Sequence, residues 1–132
     1  MFSRKKQPPI KSLVAVGTRI EGDVLFGEGM RIDGAVNGDI RAHAEQPSIL
    51  VISETARVEG AIHAEHVIIN GCVVGPVHAS ELLELQPKAR ITGDVHYKAL
   101  EMHQGALIAG QMCPAAELLD AKPPLKLASN SR

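Results

Sequence analysis

The chain has 132 residues, a formal net charge of −1, and a composition that is 45 % apolar but only 2 % aromatic. That is one domain's length with enough aliphatic side chains for a core, well outside disordered composition. Tryptophan is absent and the aromatics are Phe2, Phe26 and Tyr97, which excludes aromatic stacking platforms for single-stranded nucleic acid.

In chain order, residues 1–12 hold Arg4, Lys5, Lys6 and Lys11 with no acid, and Pro8-Pro9. Gln7-Pro8-Pro9 stands where a signal peptide needs its apolar stretch, and no run approaches the ~18 apolar residues of a membrane-spanning helix. Residues 1–12 therefore read as a disordered basic arm on a cytoplasmic chain. Residues 121–132 mirror it, with Lys122, Pro123-Pro124, Lys126 and Arg132 and no acid; they read as a second disordered tail. All fifteen acids lie in 13–120 beside seven Lys and Arg, a formal charge of −8 on the body, which argues against nucleic acid as a partner. Cys72 and Cys113 do not make a disulfide framework.

Between the tails one phrase recurs: aliphatic, any residue, Gly, any residue, apolar. It runs through Ile20-Glu21-Gly22-Asp23-Val24, Val36-Asn37-Gly38-Asp39-Ile40 and Val58-Glu59-Gly60-Ala61-Ile62. It continues through Val73-Val74-Gly75-Pro76-Val77, Ile91-Thr92-Gly93-Asp94-Val95 and Ile108-Ala109-Gly110-Gln111-Met112, the glycines standing 16, 22, 15, 18 and 17 residues apart. Between the phrases fall alternating apolar pairs: Val14/Val16, Met30/Ile32, Leu50/Ile52, Val67/Ile69, Leu83/Leu85 and Leu100/Met102. Period-two alternation of aliphatic residues predicts short strands with one face buried. Ala115–Leu119 is the one stretch with helix potential.

A sandwich or barrel gives strands without a shared motif. A repeat of 17–18 residues travels roughly 58 Å of contour, three sides of about five residues, which is one coil of a parallel β-helix. Residues 13–120 are thus predicted to form a single all-β domain of about six three-sided coils. The surplus in the longest spacing fits Ala44-Glu45-Gln46-Pro47-Ser48 as a surface loop. The repeat glycines read as corners needing positive φ, or places too tight for a Cβ. No dinucleotide fingerprint or P-loop accompanies them, so no nucleotide cofactor is expected.

His63, His78 and His96 each fall three residues after a repeat Gly, with Cys113 at the same place in the last coil and Leu25 and Arg41 in the first two. On neighbouring coils they read as a surface ladder; a metal site lacks a third ligand at a defined spacing. His43, His66 and His103 share no register and read as surface residues. Asp23, Asp39 and Asp94 directly follow the repeat Gly, and Arg19, Arg57 and Arg90 lie three before it. These rows suit turn hydrogen bonds and charge compensation. No nucleophile elbow or metalloprotease motif is present, and the chain reads as a non-enzyme.

The repeated Ile/Val-x-Gly-Asp-Ile/Val phrase, above all Arg31-Ile32-Asp33-Gly34-Ala35-Val36-Asn37-Gly38-Asp39-Ile40, resembles the bactofilins, small bacterial cytoskeletal proteins. The resemblance extends to Met1-Phe2-Ser3-Arg4-Lys5-Lys6, similar to the membrane-targeting start of some members, and to the Lys/Pro-rich stretch Lys5-Lys6-Gln7-Pro8-Pro9. It implies a right-handed β-helix that assembles end to end, without nucleotide, into nonpolar filaments. These lie on the inner face of the cytoplasmic membrane and scaffold cell-wall and cell-shape machinery through a client protein.

Assembly is also expected on physical grounds. A solenoid ends in unpaired strand edges and stays monomeric only when capped. The predicted polymer contacts are Leu13, Val14 and Val16 at the N-terminal end, and Leu107, Met112, Leu118 and Leu119 at the C-terminal end. Ala115–Asp120 is the alternative, a lid over the last coil. Phe2, Arg4, Lys5 and Lys6 are the predicted membrane contacts, an aromatic ring for the interface and cations for anionic headgroups. Two other classes are the alternatives. Left-handed β-helix enzymes, acyltransferases or zinc carbonic anhydrases, show a strict six-residue repeat, unlike this chain. A non-polymerising adaptor would bind a client along one rod face as a discrete particle.

Overall fold

The structure, a computed structural model, describes residues 8–115. Among them the backbone winds through six coils of a three-sided parallel β-solenoid. The first side is built from β1 (Ile10–Val14), β4 (Glu28–Ile32) and β7 (Ser48–Ile52), then the second halves of β9 (Ile62–Ile69), β11 (Val77–Leu85) and β13 (Val95–Met102). The second side stacks β2 (Arg19–Glu21), β5 (Ala35–Asn37), β8 (Arg57–Glu59), β10 (Cys72–Val74), β12 (Arg90–Thr92) and β14 (Leu107–Ala109). The third side stacks β3 (Val24–Phe26), β6 (Ile40–Ala42), the first halves of β9, β11 and β13, and β15 (Met112–Pro114). Every pairing is parallel.

Alternation along each strand sends one residue set inward, and parallel register stacks that set into columns. Val14, Ile32, Ile52, Ile69, Leu85 and Met102 form one. Val36, Val58, Val73 and Ile91 form another, with Ile20 and Ile108 at its ends. Ile40, Ile62, Val77 and Val95 form a third, between Val24 and Met112. Leu50, Val58, Val67, Val73 and Leu83 are fully buried. The two large rings bracket a column of small residues on the third side: Phe26 precedes Ala42 and Ala64, and Tyr97 follows Ala79. Both rings pack against the core.

The unequal repeat lengths follow from the corners. Between sides one and two, coils one, three, five and six use four-residue turns, closed by Thr18 N–H to Ala15 C=O, Ala56 to Ser53, Ala89 to Gln86 and Ala106 to His103 at 3.0–3.2 Å. Coils two and four turn on Asp33-Gly34 and Asn70-Gly71 alone. That tight corner excludes a side chain: a Cβ on Gly71 would lie 2.2 Å from the Ser53 carbonyl oxygen. Short-corner coils give the spacings of 15 and 16, and four-residue turns give 17 and 18. β11 carries one extra residue in a register shift between Ala79 and Leu82.

Four of the six repeat glycines, Gly38, Gly60, Gly75 and Gly93, combine a positive φ with no room for a Cβ; Gly22 has the φ alone and Gly110 the tight contact alone. Gly60 has φ of 150°, and a Cβ there would lie 2.2 Å from the Gly38 carbonyl oxygen, since successive coils touch backbone to backbone at this corner.

Three expectations are corrected. The first strand starts at Ile10, inside the segment assigned to the arm. Ile10 pairs with Gly29, and the Lys11 ammonium lies 3.0 Å from the Glu28 carboxylate. The inward pair of the first coil is Ser12/Val14, not Val14/Val16; Val16 sits in the corner and is 69 % exposed. Ser48 belongs to β7 rather than the loop; it is buried, and its hydroxyl accepts from Glu65 N–H at 3.0 Å. Leu118, Leu119 and most of the Ala115–Asp120 segment lie outside the described residues, as do Phe2, Arg4, Lys5 and Lys6.

Candidate functional site

Among the described residues, the two ends of the solenoid lack the layer that every interior coil has. β1, β2 and β3 each pair on one edge, with β4, β5 and β6; β14 and β15 each pair on one edge, with β12 and β13. Among the described residues their other edges carry no strand. At the C-terminal end the side chains tell the same story. Met102 and Met112 occupy inward register positions, yet they are 46 % and 43 % exposed because each is last in its column. Of the predicted contacts, Leu13, Val16, Leu107 and Met112 are exposed, while Val14 belongs to the core. Leu13 and Leu107 point away from the core, flanking the open ends. Ile10, Leu25 and Met102 were missed; they too are large, apolar and exposed. Counting register to the last coil would have singled out Met102, an inward position with nothing stacked beyond it.

The third side carries the histidine ladder. Register aligns Leu25, Arg41, His63, His78, His96 and Cys113 on its outer face. The rings of His63 and His78 stack at 4.3 Å and 4°, and those of His78 and His96 at 4.4 Å and 7°. Parallel planes send the ring nitrogens side by side rather than converging, so the stack as it stands is not a chelate, which needs bonds of ~2.0–2.1 Å to one ion. Burial, then the facing His63 and His96, holds the His78 imidazole below its ordinary pKa. Burial and Arg41 lower His63, against an opposing pull from Asp39.

The other rows hold the rod together. Asp23 Oδ1 accepts from Asp39 N–H, Asp39 Oδ1 from Ala61 N–H, and Asp94 Oδ1 from Gln111 N–H, each at 2.9 Å. Each carboxylate therefore ties its corner to the same corner of the next coil. The row breaks where Ala61 offers no acceptor and Pro76 has no N–H. Arg19 pairs with Glu21 and Arg57 with Glu59 along their own strands, whereas Arg90 donates to the carbonyls of Ala89 and Gly105.

Of the remaining histidines, His66 is half-buried in β9 between Ile49 and Leu82, not a surface residue. His103 is exposed, and its Nε2 lies 3.5 Å from Glu84. With Glu101 opposite Glu84 in register, the three donor groups fall within 4.8 Å of one another. Gln86 Nε2 donates to Glu84 at 3.2 Å, so this corner reads as a polar network. No helix among the described residues is long and apolar enough to cross a membrane.

The family model described as Bactofilin, polymer-forming cytoskeletal, matches residues 12–113. Bactofilin BacO of Myxococcus xanthus (strain DK1622) is 26 % identical over 111 residues, 84 % of this chain and 85 % of BacO. Bactofilin BacP of the same strain is 24 % identical over 101 residues, 76 % of this chain but 40 % of BacP. No solved structure matches the chain at a significant level.

Proposed function

The chain belongs to the bactofilin family of polymer-forming cytoskeletal proteins, and from that premise we propose that it assembles end to end into nonpolar filaments. Assembly uses no nucleotide and no other cofactor, and the protein is structural rather than enzymatic. The observation that carries this reading is that, among the described residues, the strand edges at both solenoid ends are unpaired and the inward-register Met102 and Met112 lie exposed at the C-terminal one. Strand addition between copies satisfies the backbone and buries that apolar surface together. Two self-complementary ends on one molecule give open growth rather than a closed ring.

The N-terminal arm supports a peripheral place on the inner face of the cytoplasmic membrane. Phe2 enters the lipid interface while Arg4, Lys5 and Lys6 meet anionic headgroups at about 1 kcal/mol per charge. One arm binds weakly, and a filament displaying many binds stably. There the filament scaffolds cell-wall and cell-shape machinery by holding a client protein. Sedimentation of the purified chain without nucleotide or metal, followed by negative-stain imaging, tests the core of the reading. Filaments are expected; a discrete monomer or dimer at every concentration overturns it in favour of a non-polymerising adaptor.

A further inference from the structure

We propose that the groove beside the imidazole ladder on the third side is a docking site for an acidic peptide segment of a partner protein. The groove is an open concavity of about 490 Å³ whose described lining holds five basic side chains, Arg41, His43, His63, His78 and His96, against one carboxylate, Glu65. Small residues make up most of the rest of the lining, so an extended chain meets no bulky obstruction.

Arg41 supplies the second observation. Among the described residues, Arg19, Arg31 and Arg57 are paired with Glu21, Asp33 and Glu59, and Arg90 is held by backbone carbonyls. Among the same residues no ion pair or hydrogen bond holds the Arg41 guanidinium, which stands at the head of the ladder facing the groove. Exposed and unpaired on a body of formal charge −8, it is the group to which a carboxylate-rich segment would be steered while the acidic surface around it repels wrong placements. From Arg41 to His96 the ladder rises three coil steps, about 14 Å, or roughly four residues of extended peptide.

The titratable and charged groups around the ladder are Arg41 on β6, His43 in the following loop, Glu65 on β9, Tyr97 on β13, Cys113 on β15 and Asp39 at the corner before β6. A bound carboxylate favours the imidazolium form, so affinity rises as pH falls through the imidazole range.

The test is fluorescence anisotropy of a labelled hexaglutamate peptide with the full chain, at about pH 7.5 and pH 5, towards the two ends of the range where histidine changes charge. Hexaglutamate is expected to bind several-fold more tightly at the lower pH, hexaglutamine not at all. Arg41→Ala is expected to weaken binding about fivefold or more, Arg41→Lys to restore part of it, and His78→Gln to flatten the pH dependence, in line with charge-assisted hydrogen bonding. Absence of hexaglutamate binding at the lower pH, or binding indifferent to both Arg41→Ala and His78→Gln, overturns the proposal. So does an Arg41-dependent preference for an oligothymidylate or a phosphatidylserine vesicle over the peptide. Sedimentation of the same samples reports polymer formation separately, so a failed groove and a failed filament reading are distinguishable.

Discussion

Backbone contact at the glycine corner makes single atoms decisive. A methyl group on Gly60 meets the Gly38 carbonyl oxygen at 2.2 Å and sits on a backbone with φ of 150°. Neither coil can move aside without breaking the strand pairs on both flanks. Gly60→Ala is expected to destabilise the fold by about 3 kcal/mol or more, read as a shift in urea midpoint. Gly22 separates the two causes: its φ is 130°, but nothing lies within 4 Å of its Cβ position. Gly22→Ala should therefore cost the fold clearly less, and equal losses in the two variants would show that steric contact between coils contributes little. The aspartate row is a milder device. Asp39→Ala leaves the Ala61 N–H without its acceptor and is expected to cost about 1 kcal/mol in the same measurement.

At the scale of strands and columns, the ladder links stability to pH. Burial and neighbouring positive charge hold folded His63 and His78 below the 6.5 of a free imidazole. The unfolded chain therefore binds more protons between the folded and unfolded pKa values, and their contribution to stability is present above 6.5 and lost as pH falls through the lowered values. The melting temperature should fall on acidification below about pH 6.5, and His78→Gln should remove part of that slope. A slope unchanged by the substitution would place the sensitivity elsewhere. This ladder was legible because it depends only on register: His63, His78 and His96 share one offset from the repeat Gly. The inward columns were legible for the same reason. The arm boundary and the Val14/Val16 pair were misread because backbone pairing, not hydrophobicity, decides where the first strand lies. Ile10 and Ser12 pair with the next coil although their side chains remain exposed. The groove went unread because its corner brings His43 from an insertion that has no register, and the free state of Arg41 appears only once the other arginines have found their partners.

For the whole rod, the relation between its two ends decides how it grows. Val16 and Leu107 are 69 % and 59 % exposed, so replacing either by arginine should change fold stability by no more than about 0.5 kcal/mol. Their effect on assembly depends on symmetry. If the N-terminal end of one copy met the C-terminal end of the next, the contact would be heterologous, and a charge at either end would stop all association. In the nonpolar filament proposed here, like ends meet through two-fold contacts, so charging one end leaves the other intact. Val16→Arg should then give dimers joined at their C-terminal ends, Leu107→Arg dimers joined at their N-terminal ends, and the double variant monomers, all with unchanged β-sheet circular dichroism. Sedimentation velocity distinguishes these outcomes. Monomers from both single variants would mean a polar filament; long polymers from the double variant would mean that the solenoid ends are not the assembly surfaces at all.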